Sequence, residues 1–168
     1  MAEIWVVNAS PVISLAKVGH LDLLSRLPDE ILVPTEVASE VLAGPPSDPA
    51  RKAFAEGWGR VASVERIPAP ILEWSLGSGE SAVLSLVLDN PGATAILDDA
   101  VGRRCARTLG IPVIGTLAVV LRAKKQGLIP SAAHVVESLM SSGLYVDHRT
   151  AETILKRLAD EEWRAGDD

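Results

Sequence analysis

Four places along this chain put acidic or amide side chains at or just past the ends of apolar runs, where a parallel α/β sheet builds its sites. Asn8 directly follows Ile4-Trp5-Val6-Val7, and Glu40 stands one helical turn after Glu36. Glu80 opens a helical segment behind Gly77-Ser78-Gly79, and Asp98-Asp99 end the run from Ala93 to Leu97. Clustered carboxylates repel one another until a cation joins them, and hard divalent cations take oxygen ligands of this kind. Each position also has a plainer role. Asn8 and Asp98 have side chains that could cap the helices after them. Glu80 suits the positive end of a helix dipole, and Glu40 could be an exposed helix residue.

Basic side chains follow the acidic pair closely. Arg103, Arg104 and Arg107 lie within about two helical turns of it. A guanidinium fork fits phosphate oxygens, so this group is placed to bind a phosphate chain beside an acidic site. A solvated helix face is the alternative, and it is the better reading for Arg122, Lys124 and Lys125.

These residues need elements to hold them. Apolar runs bounded by turn residues predict buried strands at Ile4 to Val7, Ile31 to Val33, Ala93 to Leu97 and Pro112 to Ile114. Helical spacing predicts helices over Thr35 to Leu42, Gly79 to Leu88, Gly102 to Leu109, Leu117 to Lys125, Ser131 to Met140 and Thr150 to Trp163. Strands alternating with helices make right-handed βαβ units, so the expected fold is an α/β three-layer sandwich with a mainly parallel central sheet. Gly44 to Pro49 reads as a loop between helices, and no domain linker is visible. Residues 1–145 are expected to form the main domain, with 146–168 a helix and tail on or extending from it.

Composition narrows the classes. A chain of 168 residues, 48% hydrophobic, can bury a core as one domain. The single cysteine, Cys105, excludes an internal disulfide and a cysteine-rich zinc site, which fits a reducing compartment. No signal peptide is apparent, and apolar stretches stop well short of the roughly 20 residues a membrane span needs. A cytoplasmic protein without a membrane is expected. A net charge of −6 argues against coating nucleic acid through net charge alone, so contact with it needs a local patch.

Other motifs carry less. Gly77-Ser78-Gly79-Glu80-Ser81-Ala82 fits a relaxed dinucleotide pattern, but no strand precedes it and a glutamate in a pyrophosphate cradle would repel the ligand. His20, His134 and His148 are widely separated, and Ser10 and Ser81 lack the glycines of a nucleophile elbow.

Taken in order, a set of segments resembles the PIN-domain superfamily, in the branch of PIN-like nucleic-acid-binding proteins. They are Val6-Val7-Asn8-Ala9-Ser10-Pro11, Leu32-Val33-Pro34-Thr35-Glu36-Val37 with Glu40-Val41, Leu76-Gly77-Ser78-Gly79-Glu80-Ser81-Ala82, Leu97-Asp98-Asp99-Ala100-Val101-Gly102-Arg103, Ile114-Gly115-Thr116-Leu117 and Ala123 to Pro130. The likeness spans roughly residues 3 to 142 and rests on order and spacing together. It implies acidic residues converging at the carboxyl edge of the sheet around one or two Mg²⁺ or Mn²⁺ ions, and hydrolysis of RNA. The implied ligands are Glu40, Glu80 and Asp99, with Asn8 and Asp98 completing the set. Ser10 and Thr116 would stand behind them, and Arg103, Arg104 and Arg107 would bind RNA phosphates. The implied biology is a toxin of a type II toxin–antitoxin pair, a homodimer held inactive by a cognate antitoxin. Leu21 to Leu27 and Leu117 to Leu121 are the segments expected to supply the dimer surface.

Position 8 departs from the superfamily, which generally has aspartate there, although this branch commonly shows asparagine. An amide oxygen can coordinate Mg²⁺ but brings no charge and cannot act as a base. Weaker metal binding is therefore expected. The alternative is a PIN-fold module that binds RNA or a partner protein without cutting. A small-molecule phosphohydrolase using the same acidic edge is a third reading.

Overall fold

The computed structural model of this protein describes residues 2–144, 149, 150, 153 and 156. Five strands, β1 (Ile4–Val7), β2 (Glu30–Pro34), β3 (Arg60–Ala62), β4 (Thr94–Ile96) and β5 (Val113–Ile114), form one sheet in the order β3-β2-β1-β4-β5. Every pairing is parallel: Val6 of β1 stands opposite Leu32 of β2 and Ala95 of β4. A parallel sheet covered on both faces demands near-continuous apolar strands. The central strand meets that demand, with Trp5, Val6 and Val7 all buried.

The described helices are α1 (Ala9–Lys17), α2 (Leu23–Arg26), α3 (Thr35–Leu42), α4 (Pro49–Ala55), α5 (Ala69–Leu72), α6 (Ser78–Asp89), α7 (Ala100–Thr108), α8 (Thr116–Lys125) and α9 (Ala132–Ser141). The chain steps outward from β1 to β2 to β3, then crosses back over the sheet to β4 and on to β5. Right-handed crossovers leave helices on both faces of the sheet. In the packing, α1 and α2 meet α9 and α8, whereas α6 lies across β1, β2 and β4 with α3 and α7 beside it. The result is the α/β three-layer sandwich read from the sequence.

Helix α6 shows how centrally the second face is built. Gly79 and every residue from Ser81 to Val87 are buried, so the helix is apolar around most of its surface, as a core helix must be. Leu84 is fully buried, and its truncation to alanine would cost about 2–5 kcal/mol. Of the two in-facing serines, Ser85 needs no outside partner, because its hydroxyl donates to the Ser81 backbone carbonyl at 2.7 Å.

The expected strands all appear, with no end shifted by more than one residue. Strand β3 and helices α1, α4 and α5 are additions. The nominated dimer surface is largely spent internally: Leu23, Leu24 and Leu27 of the first segment and Val119 and Val120 of the second are buried, and α2 packs on α8. Of the expected last helix, Thr150, Thr153 and Lys156 are helical, as is Arg149 just before it. The rest of it, and with it the division at 145/146, falls outside the described residues.

Candidate functional site

The strand order reverses between β1 and β4, and in such sheets the crevice beyond the carboxyl ends at that point is where ligands bind. Asn8 and Asp98 flank it, each just past the end of its strand. The Asn8 backbone N–H donates to the Ile96 carbonyl at 3.0 Å, extending the β1–β4 ladder by one step and fixing where the side chain begins.

Asn8 occupies the N-cap position of α1 with extended backbone, yet its side chain makes no capping bond. It turns across the edge instead. Its Nδ2 donates to Glu80 Oε1 at 3.2 Å, and its Oδ1 is buried without a partner in a residue only 3% exposed. A carboxylate only accepts, so the amide's NH₂ must face Glu80 and its oxygen must face the other way.

That oxygen points toward Gly79. A Cβ built on Gly79 would lie 3.1 Å from Asn8 Oδ1 and 3.3 Å from Glu40 Oε2, so the missing side chain is what lets two oxygens from β1 and α3 approach α6. Gly77 does the same for Glu80, whose Oε2 would collide with a Cβ at that position. Glu80 itself sits in the first turn of α6, where the helix dipole favours its charge. The structure therefore brings together Asn8, Glu40 and Glu80, which are remote along the chain.

The acidic pair divides its work. Asp98 accepts from the Thr116 backbone N–H at 2.8 Å and from the Thr116 hydroxyl at 2.5 Å, so a carboxylate just past β4 caps the start of α8. Asp99, exposed, caps its own helix by accepting from the Gly102 N–H at 2.7 Å. Of the two caps read from sequence, neither Asn8 nor Asp98 serves the helix that follows it. The residue that does is Asp99, because the strand's alternation sends Asp98 sideways toward α8.

Arg103 lies beside Asp98. Its Nη1 and Asp98 Oδ1 both crowd the space over Gly115, at 3.3 and 2.9 Å from where a Cβ would stand, and its Nε is buried without a partner. Arg103 forms none of the ion pairs among the described residues. Arg104 and Arg107 are exposed on α7, and Ser10 is exposed at the start of α1. Sequence reasoning did not single out Gly79 and Gly115 as spacers, nor Glu36 as a site residue. Glu36 Oε2 is buried without a partner one turn before Glu40.

Among the described residues no three histidine, cysteine, aspartate or glutamate side chains stand grouped as a metal centre. The orphaned Asn8 Oδ1 and the cradle at Gly79 nonetheless fit a hard cation, since an amide oxygen and the Glu40 carboxylate meet there and the same amide is bonded to Glu80. Asp98 and Asp99 each also accept from a helix start, Asp99 through one oxygen only, and both carboxylates keep lone pairs beyond those bonds. A shallow groove of about 490 Å³ between α1 and α9, lined by Lys17, His134 and Glu137 among others, holds none of these residues. Among the described residues no helix is long and apolar enough to cross a membrane.

A family model described as a PIN domain matches residues 4–160, nearly the whole chain. No curated protein matches it.

Proposed function

Given that the chain belongs to the PIN-domain family, whose members are generally nucleases and typically depend on a divalent metal, we propose that it is an Mg²⁺- or Mn²⁺-dependent endoribonuclease. The supporting observation is the approach of Asn8 Oδ1 and Glu40 Oε2 at Gly79, with the same Asn8 amide bonded to Glu80, at the switch point of a parallel sheet. When bound there, a divalent cation would supply a water of lowered pKa and neutralise charge on the leaving oxygen.

The protein's own groups do the rest. Glu40 and Glu80 hold the negative charge that attracts the cation, and Asn8 adds a neutral oxygen. Thr116 fixes both oxygens of Asp98, so this carboxylate faces the crevice in one orientation and can orient a water or a hydroxyl of the RNA. Arg103, with Arg104 and Arg107 outside it, offers the phosphate contacts that a chain of net charge −6 must supply locally.

The proposed biological role is the toxin of a type II toxin–antitoxin pair, working as a homodimer in the cytoplasm and silenced by a cognate antitoxin that covers the acidic edge. One observation favours a second reading, a non-cutting module that binds RNA or a partner protein. The nominated site residues are already engaged with protein groups, Asn8 with Glu80, and Asp98 and Asp99 with helix starts.

A cleavage assay on single-stranded RNA with Mn²⁺ separates the two. Cleavage by the natural protein, lost in Glu80→Gln and Glu40→Gln, is the expected result. Absence of cleavage with every divalent metal, while RNA still binds, would replace the nuclease with the binding module.

A further inference from the structure

An asparagine in an acidic pocket can be a poor ligand, or it can be a lock. The geometry favours the lock. At 3.2 Å from Glu80 Oε1, Asn8 Nδ2 is the hydrogen-bond donor that Glu80 has among the described residues, and at 3% exposure of Asn8 little water competes for that N–H. Hydrogen bonds to a charged group in such surroundings are strong. An aspartate of the same shape would set two carboxylates against each other at that distance, and a cation or a shared proton would be needed to hold them there.

We propose that Asn8 is a positioning residue that holds Glu80 in place without a cation, so that the acidic pocket of this protein is assembled before any metal arrives. The proposal rests on the reading of this edge as a cation site only for the direction of Oδ1. Its Nδ2 half stands on the hydrogen bond alone. One amide thus divides its two ends between two jobs, with the donor fixing Glu80 and the free acceptor left beside Glu40 at Gly79. The same swap of charge for dipole makes the fold's stability less dependent on divalent ions than an aspartate would make it.

Thermal unfolding of the full-length protein with a chelator and with millimolar Mg²⁺ tests this. In chelator Asn8→Asp should unfold roughly 3–10 °C below the natural protein, the span expected for losing a hydrogen bond to a charged group in a domain of this size. Adding Glu80→Gln to that variant should restore the melting temperature, because the amide introduced on α6 can donate to the carboxylate introduced after β1 and rebuild the bond in reverse. An Asn8→Asp protein too unstable to purify without metal leaves the double variant as the readout, and its recovery is the expected outcome. A melting temperature for Asn8→Asp equal to the natural protein's in chelator, or a double variant no better than Asn8→Asp, would overturn the proposal. Mg²⁺ should then raise Asn8→Asp more than the natural protein. No response to Mg²⁺ in either, with the rescue intact, would support the lock while removing the cation from the pocket, so the two claims fail separately.

Discussion

Thr116 donates twice to Asp98, through its backbone N–H at 2.8 Å and its hydroxyl at 2.5 Å. One residue at the start of α8 thereby fixes both oxygens of a carboxylate just past β4. Replacing it with valine keeps the shape and removes the hydroxyl. Because Thr116 is fully buried, Thr116→Val should cost about 1.5–3 kcal/mol, and Thr116→Ser much less. Chemical denaturation measures this. Cleavage of RNA should fall about 10–100-fold in the valine variant, the usual effect of losing a group that orients a catalytic one.

Gly79→Ala separates site from scaffold. Alanine is the better helix former by about 1 kcal/mol, so a plain helix position would gain stability. Here the new methyl would stand 3.1 Å from Asn8 Oδ1 and 3.3 Å from Glu40 Oε2, closer than such contacts normally run. The expected result is a protein with unchanged helix content by circular dichroism and Mn²⁺ affinity at least tenfold weaker.

Glu36 tests the cost of an orphaned acceptor. Its buried Oε2 has no partner, which costs about 1–3 kcal/mol, against roughly 0.3–1 kcal/mol gained from a carboxylate in the first turn of α3. Glu36→Met, of similar size, should raise the melting temperature in chelator by about 2–4 °C. A lower melting temperature would mean that the carboxylate has a partner in solution.

Arg103 should be read through salt. In a Glu80→Gln background that binds RNA without cutting it, Arg103→Ala should flatten the plot of log affinity against log salt by about 0.7, the value of one phosphate contact on a single strand. Fluorescence anisotropy across a salt series gives the slope directly.

Cys105 is fully buried in α7, and desolvation pushes its thiol above the usual cysteine range. The neutral form is the one the fold favours. That contribution is complete below the unfolded thiol's pKa and is lost as pH rises through the folded value. At pH 8 the native protein should therefore react with a thiol reagent far more slowly than the unfolded chain, and the ratio of the two rates is the measurement.

How much of this was readable from the sequence depended on burial. Strands β1, β2 and β4 announce themselves because both faces are covered, which makes them continuous apolar runs. Strand β3 pairs only with β2 and exposes Val61 at 55%, so Arg60–Ala62 carries no apolar pattern. Helix α1 is hidden by Pro11, which reads as a breaker but stands in the first turn, where no intrahelical donor is lost. Helix α4 begins within the expected loop, with Asp48 as cap and Pro49 as first residue. In the site, side-chain types marked the right neighbourhood. They did not distinguish Asp98 from Asp99, because two adjacent carboxylates differ only in which way the end of the strand turns them. Nor did they give the Asn8–Glu80 bond, which joins residues 72 positions apart.

Mn²⁺ binding followed by electron paramagnetic resonance is the most direct measurement of whether Asn8, Glu40 and Glu80 share one cation. Titration of the natural protein should show a saturable ion, lost or weakened at least tenfold by Glu40→Gln and by Glu80→Gln separately, although the two residues lie on different helices. Undiminished Mn²⁺ binding in both variants would contradict it, and the convergence at Gly79 would then be packing without a metal.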